Sequence, residues 1–197
     1  IILSTGMNNV KSIRKSVRII EKYKIPYAIM HCTNLYPTDP SDVRLNCLLE
    51  LEKEFPNAVI GLSDHTSSNY TSFAAVAMGA SIIEKHYVDN KKKFRGPDIS
   101  SSIDFNQLKD LIRGTRIIHD SKKGLKKILL KEKPVAKFAF ASVVSIKKIK
   151  KGDKLSLKNI WVKRPGNGDF KASELKKVIG KRAKQNIPEN VQIKKKF

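Results

Sequence analysis

The sequence predicts an α/β protein, four β/α units in succession followed by a small, strongly basic domain, and two observations carry that expectation. Short apolar runs at residues 1–4, 26–32, 58–62 and 81–84 alternate with segments whose apolar residues recur at helical spacing. Charge is also split along the chain: residues 1–120 carry 16 Lys/Arg against 13 Asp/Glu, or +3, and residues 121–197 carry 24 against 5, or +19. The break at Ser121-Lys122-Lys123-Gly124 predicts a first domain at 1–120, a linker at 121–137 and a second domain at 138–197.

Taken in order, the elements justify this. After the first run, residues 8–23 place Val10, Ile13, Val17 and Ile20 on one face and Lys11, Arg14, Lys15 and Arg18 on the other. Residues 41–55 repeat the pattern through Val43, Leu45, Leu48, Leu49 and Leu51. The Ala-rich residues 69–80 form a third helix and residues 105–119 a fourth. Strands joined by helical crossovers pair in parallel with right-handed connections. Four such units are half of a (β/α)8 barrel. The chain opens on a strand with no methionine, so it is expected to begin inside a domain. Residues 138–197 read as short strands, with apolar alternations at 142–146 and 191–193, a turn at 149–153, a loop at Gly166–Gly168 and a helix around 172–179.

Composition excludes several classes. No stretch approaches the ~18 apolar residues of a membrane span, and no signal peptide is evident, so a cytoplasmic protein is expected. Two cysteines, Cys32 and Cys47, support neither a disulfide framework nor a structural zinc site. The net charge is +22, and 32 of the 40 basic residues are lysine without interleaved aromatics, which argues against a nucleic-acid platform.

The chemistry gathers where strands end. His65 and His86 close the third and fourth runs, and at the carboxyl edge of a closed parallel barrel they would face one spot. That makes them a candidate metal pair, although two satisfied histidines at strand ends would share the spacing. Ser4-Thr5-Gly6-Met7, Thr33 to Thr38, Ser63-Asp64-His65-Thr66 and Gly96-Pro97-Asp98 supply hydroxyls, amides and turns suited to an anionic substrate. Helix capping would use the same residue types.

Those motifs resemble, in order, the signatures of the bacterial sialic acid synthases: Ser4-Thr5-Gly6-Met7, His31-Cys32-Thr33-Asn34-Leu35-Tyr36-Pro37-Thr38, Gly61-Leu62-Ser63-Asp64-His65-Thr66, Glu84-Lys85-His86 and Gly96-Pro97-Asp98. The likeness continues through Phe138 to Val144 and Trp161 to Gly168. It implies the second half of a (β/α)8 barrel followed by a small antifreeze-like (SAF) domain. It also implies condensation of phosphoenolpyruvate with N-acetylmannosamine and water to N-acetylneuraminate and phosphate. A related nonulosonate such as legionaminate is an alternative product, and a non-catalytic basic binding module is the alternative of another class. By resemblance, His65 and His86 bind a divalent metal, Mn²⁺ foremost with Mg²⁺ or Co²⁺ as alternatives. Ser4 and Ser63 contact phosphoenolpyruvate and Asn34 is a nearby polar contact, while Tyr36 and Asp98 line the sugar site, Asp98 counting with the histidines as catalytic. Arg164 and Phe138 reach the sugar's N-acetyl region in the partner subunit of a homodimer. No nucleic-acid or membrane partner is expected. In the family the preceding half-barrel adds a lysine and carboxylates, so a chain truly starting at residue 1 is expected to be inactive alone.

Overall fold

The computed structural model describes residues 1–196. Residues 1–124 and 125–197 form two compact units. In the first, strands β1 (Ile2–Ser4), β2 (Ala28–Cys32), β3 (Val59–Asp64) and β4 (Ile82–Lys85) make one parallel sheet in the order β1-β2-β3-β4. The crossovers are helices α1 (Val10–Lys22), α2 (Asn46–Glu54) and α3 (Tyr70–Met78), and α4 (Phe105–Ser121) follows β4.

Each helix has a local reason to start or stop. The Asn9 side chain accepts the Ser12 N–H at 3.0 Å and caps α1. A reciprocal Asp104/Gln107 capping box opens α4. Gly79, at φ +118°, lets α3 end in a left-handed turn. The helix expected over 41–55 is broken: a 3-10 turn spans Pro40–Asp42, Arg44 takes φ +53°, and α2 starts only at Asn46. A left-handed residue cannot continue a right-handed helix, and the apolar spacing of this segment does not reveal one.

Alternation along the strands separates two faces. Ile29, Ile60 and Leu62 pack with Val17 and Ile20 of α1 and Leu48 and Leu51 of α2 to form the core. The other face carries Ser4, Met30, Cys32, Gly61, Ser63, Ile82 and Glu84, placed there by period-two geometry. Gly61 is required there: a Cβ at this position would lie 2.4 Å from Met30 Sδ and 2.8 Å from the Ile82 carbonyl oxygen.

The second unit has its own core of Val143, Ile149, Leu155, Ile160, Val178, Ala183, Ile187 and Ile193. Its antiparallel pair is β5 (Ser142–Ser145) with β6 (Ile160–Lys163). Two expectations change. Residues 191–193 add only an isolated bridge, Val144 to Gln192, rather than a strand. The 172–179 segment is a 3-10 turn followed by one helical turn, α6 (Leu175–Val178). Within and just past the 121–137 linker, a 3-10 turn at Leu130–Glu132 leads into α5 (Lys133–Ala139), which carries Phe138. Residue 197, the end of the predicted second domain, lies outside the described residues. Among the described residues no helix is long and apolar enough to cross a membrane.

Candidate active site

The β3–β4 ladder ends at the register pair Asp64–Lys85. His65 and His86 are the next residues on their strands, and parity turns both toward the polar face. Their ring centroids lie 5.3 Å apart. Tyr36, from the loop after β2, stacks on His65 at 4.2 Å and meets His86 edge-on at 5.8 Å. Tyr36 is 43% exposed and so is no core aromatic. Partial burial lifts its phenol above the ordinary pKa, with the neighbouring Cys32, Asp98 and Glu84 groups adding to the rise.

The two imidazoles are held differently. His65 is buried and its Nδ1 lies 2.8 Å from the Thr33 carbonyl oxygen. A carbonyl only accepts, so Nδ1 carries the proton and Nε2 keeps its lone pair. Ser63 Oγ lies 3.5 Å from that Nε2. His86 is half-buried; its carbonyl accepts from the Ile103 N–H at 2.8 Å, while among the described residues its ring makes no hydrogen bond to protein. Two imidazoles, each able to offer a ring nitrogen, fit an ion of the Mn²⁺ type. Among the described residues no group of three or more His, Cys, Asp or Glu is placed to hold a metal, so the pair would leave most positions to water and substrate.

A polar row lies beside them. Register aligns Cys32 with Ser63 and Ser63 with Glu84. Ser4 Oγ is 3.4 Å from Cys32 Sγ, and the thiol donates to Asn34 Oδ1 at 2.9 Å. The β1–α1 turn closes over this cluster at Gly6, where a Cβ would fall 1.9 Å from Asn34 Oδ1. Asp98 lies in a 3-10 turn, Pro97–Ser100, and shares a groove with His86, Phe94 and Arg95. Its carbonyl accepts from Ser101 Oγ at 3.0 Å and Ser102 Oγ at 2.8 Å, which ties down the backbone and leaves the carboxylate exposed.

Ser4, Asn34, Tyr36, Ser63, His65, His86 and Asp98 thus lie at or beside one edge of the sheet. Phe138 and Arg164 belong to the second unit, where both are exposed. Sequence reasoning passed over Glu84 and Cys32. Their signal was parity, since Glu84 stands two residues before His86 and Cys32 two before Asn34.

It also passed over an ion pair on the opposite, helix-facing side. Asp64 and Lys85 are 3.2 Å apart with side chains 0% and 3% exposed. Burial alone would raise the Asp64 carboxyl, but donors from Ser72, Thr71 and the Thr66 N–H and the Lys85 charge outweigh it and hold it below the usual range. Burial draws the Lys85 ammonium down, against the pull of Asp64.

Known proteins share this architecture. Residues 1–127 match the model of the NeuB family, and residues 140–197 match that of the SAF domain. An N,N'-diacetyllegionaminic acid synthase of Campylobacter jejuni is 36% identical over 194 residues, covering 96% of this chain and 57% of its own length. The human N-acetylneuraminate-9-phosphate synthase is 28% identical over 190 residues, covering 96% of this chain and 53% of its own. A solved N-acetylneuraminic acid synthetase from Leptospira borgpetersenii superposes with a TM-score of 0.63 at 31% identity, covering 68% of this chain and 47% of that one. The chain spans about half the length of the curated relatives it matches.

Proposed function

The chain belongs to the NeuB family, and from that premise we propose that it carries part of the catalytic surface of a nonulosonate synthase. The reaction joins phosphoenolpyruvate, an N-acetylated hexosamine such as N-acetylmannosamine, and water, giving a nine-carbon keto acid and phosphate. The observation that supports it most directly is the meeting of His65 and His86 at 5.3 Å under the stacked Tyr36 ring, beside a row of small polar groups.

In this reading His65 and His86 hold a divalent ion, Mn²⁺ foremost and Mg²⁺ or Co²⁺ otherwise. Bound there it would supply Lewis acidity at the sugar's aldehyde oxygen. The enol carbon of phosphoenolpyruvate forms the new C–C bond to the aldehyde carbon, whose oxygen becomes a hydroxyl. Water adds at the resulting cationic carbon and gives up its two protons, one to the new hydroxyl and one to the phosphate, as the ketone forms and phosphate departs with the C–O bond electrons. Ser4, Ser63 and Asn34 bind the anionic substrate through hydroxyl and amide donors. Tyr36 and the exposed Asp98 carboxylate orient sugar hydroxyls, and Glu84 is placed to move a proton beside them. Arg164 and Phe138 serve the N-acetyl end from the second unit of a partner copy in a homodimer, a planar guanidinium suiting a carbonyl acceptor. The (β/α)8 barrel, the boundaries at 1–120, 121–137 and 138–197 and a cytoplasmic location belong to this same proposal.

A second reading keeps the chemistry and changes the sugar. The similar proteins include both an N,N'-diacetyllegionaminic acid synthase at 36% identity and an N-acetylneuraminic acid synthetase at 31%, so a diacetamido hexose is carried forward beside N-acetylmannosamine. Phosphate release by the protein at its natural length, with Mn²⁺ and each sugar in turn, decides between them. Release with N-acetylmannosamine supports the first and release with the diacetamido sugar alone supports the second. No sugar-dependent release from folded, metal-loaded protein would overturn both.

A further inference from the structure

His65 and His86 are the first residues after the last β3–β4 register pair. That pair is Asp64–Lys85, and both strands stop there. Past that point the His65 carbonyl accepts from the Thr38 N–H at 3.0 Å and the His86 carbonyl from the Ile103 N–H at 2.8 Å, so each strand end is held by a different neighbour and strand pairing alone does not set the spacing of the two imidazoles.

Side chains on the other face take over. Lys85 Nζ donates to the Thr66 carbonyl at 2.6 Å, to Thr66 Oγ1 at 3.2 Å and to the Ser68 carbonyl at 2.8 Å, besides its 3.2 Å contact with Asp64. All four acceptors lie on residues 64–68, the segment that carries His65. Asp64 in turn accepts from the Thr66 N–H at 2.8 Å, Thr71 Oγ1 at 2.7 Å and Ser72 Oγ at 2.6 Å. The lysine next to His86 therefore stitches its own strand to the loop of His65, and the aspartate next to His65 ties that loop to the start of α3.

A fully buried ion pair is weak evidence for stability, because desolvation offsets most of the attraction. Its directional bonds do restrict geometry. We propose that Lys85 and Asp64 are positioning residues: they clamp the β3–α3 loop to the end of β4 and so set the spacing of the two imidazoles that hold the metal. This rests on the metal reading of His65 and His86 given above.

The test is Mn²⁺ affinity, read from the free-ion EPR signal, in the natural-length protein and in the Asp64→Asn/Lys85→Met variant. That variant leaves no unpaired buried charge and keeps an acceptor for Ser72 and Thr71. The expected result is native circular dichroism with affinity weakened about tenfold or more, in the range that outer-shell partners of metal ligands command. Should the double variant not fold, Asp64→Asn alone answers the question, with a smaller weakening expected. Folded variant protein that binds Mn²⁺ within about twofold of the parent would overturn the clamp, whatever its melting temperature. His65→Ala separates the two ideas. If the parent binds no more Mn²⁺ than His65→Ala, the metal reading falls and the clamp with it; if it binds more and the clamp variant matches it, only the clamp falls.

Discussion

At the scale of single residues, three of the histidines show how burial and partners divide one side-chain type into different roles. His65 is anchored through Nδ1, the His86 ring is unanchored, and His31 is buried on the helix-facing side with Nε2 2.7 Å from the Val43 carbonyl. Replacing His65 or His86 by alanine is expected to weaken Mn²⁺ binding at least ~100-fold, with little loss of stability for half-buried His86 and about 1 kcal/mol for buried His65, which also loses its bond to the Thr33 carbonyl. Titration calorimetry checks this. Burial pulls His31 below the ordinary imidazole pKa, so the unfolded chain takes up a proton that the folded chain refuses. Stability is therefore fully present above about pH 6.5 and falls as pH drops through that value toward the lowered folded pKa. His31→Gln is expected to flatten this slope, measured as urea midpoints between neutral and mildly acidic pH. Asp64 acts lower: its contribution is present above about pH 3.9 and is lost as pH falls through its depressed folded pKa.

Elements constrain one another through a few tight contacts. Gly61 lies mid-strand in β3, where helical or strand propensity alone would welcome a larger residue. A methyl there meets Met30 Sδ at 2.4 Å and the Ile82 carbonyl oxygen at 2.8 Å, and the latter cannot rotate away. Gly61→Ala should destabilise the first unit by about 1–3 kcal/mol through overpacking, visible as a lower melting temperature. The capping box of α4 offers a contrasting case. Asp104→Ala removes the acceptor for the Gln107 N–H, 2.9 Å away, and is expected to cost about 1 kcal/mol while leaving Mn²⁺ affinity unchanged.

For the whole molecule, charge and core are distributed in opposite ways. Each unit has its own apolar cluster, whereas nearly all of the excess positive charge lies beyond residue 120. Residues 125–197 expressed alone are expected to fold, since the Val143–Ile193 cluster draws on no residue of the first unit, and dispersed amide resonances in NMR would show it. If the basic surface steers phosphoenolpyruvate, its KM should rise as salt goes from about 0.01 M to 0.15 M, over which the Debye length shrinks from about 30 to 8 Å. An unchanged KM would assign the lysines to bulk composition.

Periodicity was enough to identify four parallel β/α units and to place His65 and His86 at neighbouring strand ends, because side-chain direction and strand succession follow from local geometry. Motif order pointed to the family before any coordinate. Other features were not legible. The break before α2 depends on one left-handed residue, Arg44, that no apolar pattern marks. The helix holding Phe138 lies in a stretch whose lysines hide it. The proton on His65 Nδ1 and the Asp64–Lys85 clamp depend on which groups meet across strands and loops. Such meetings are decided when distant segments pack, and burial then sets how much each charge and hydrogen bond counts.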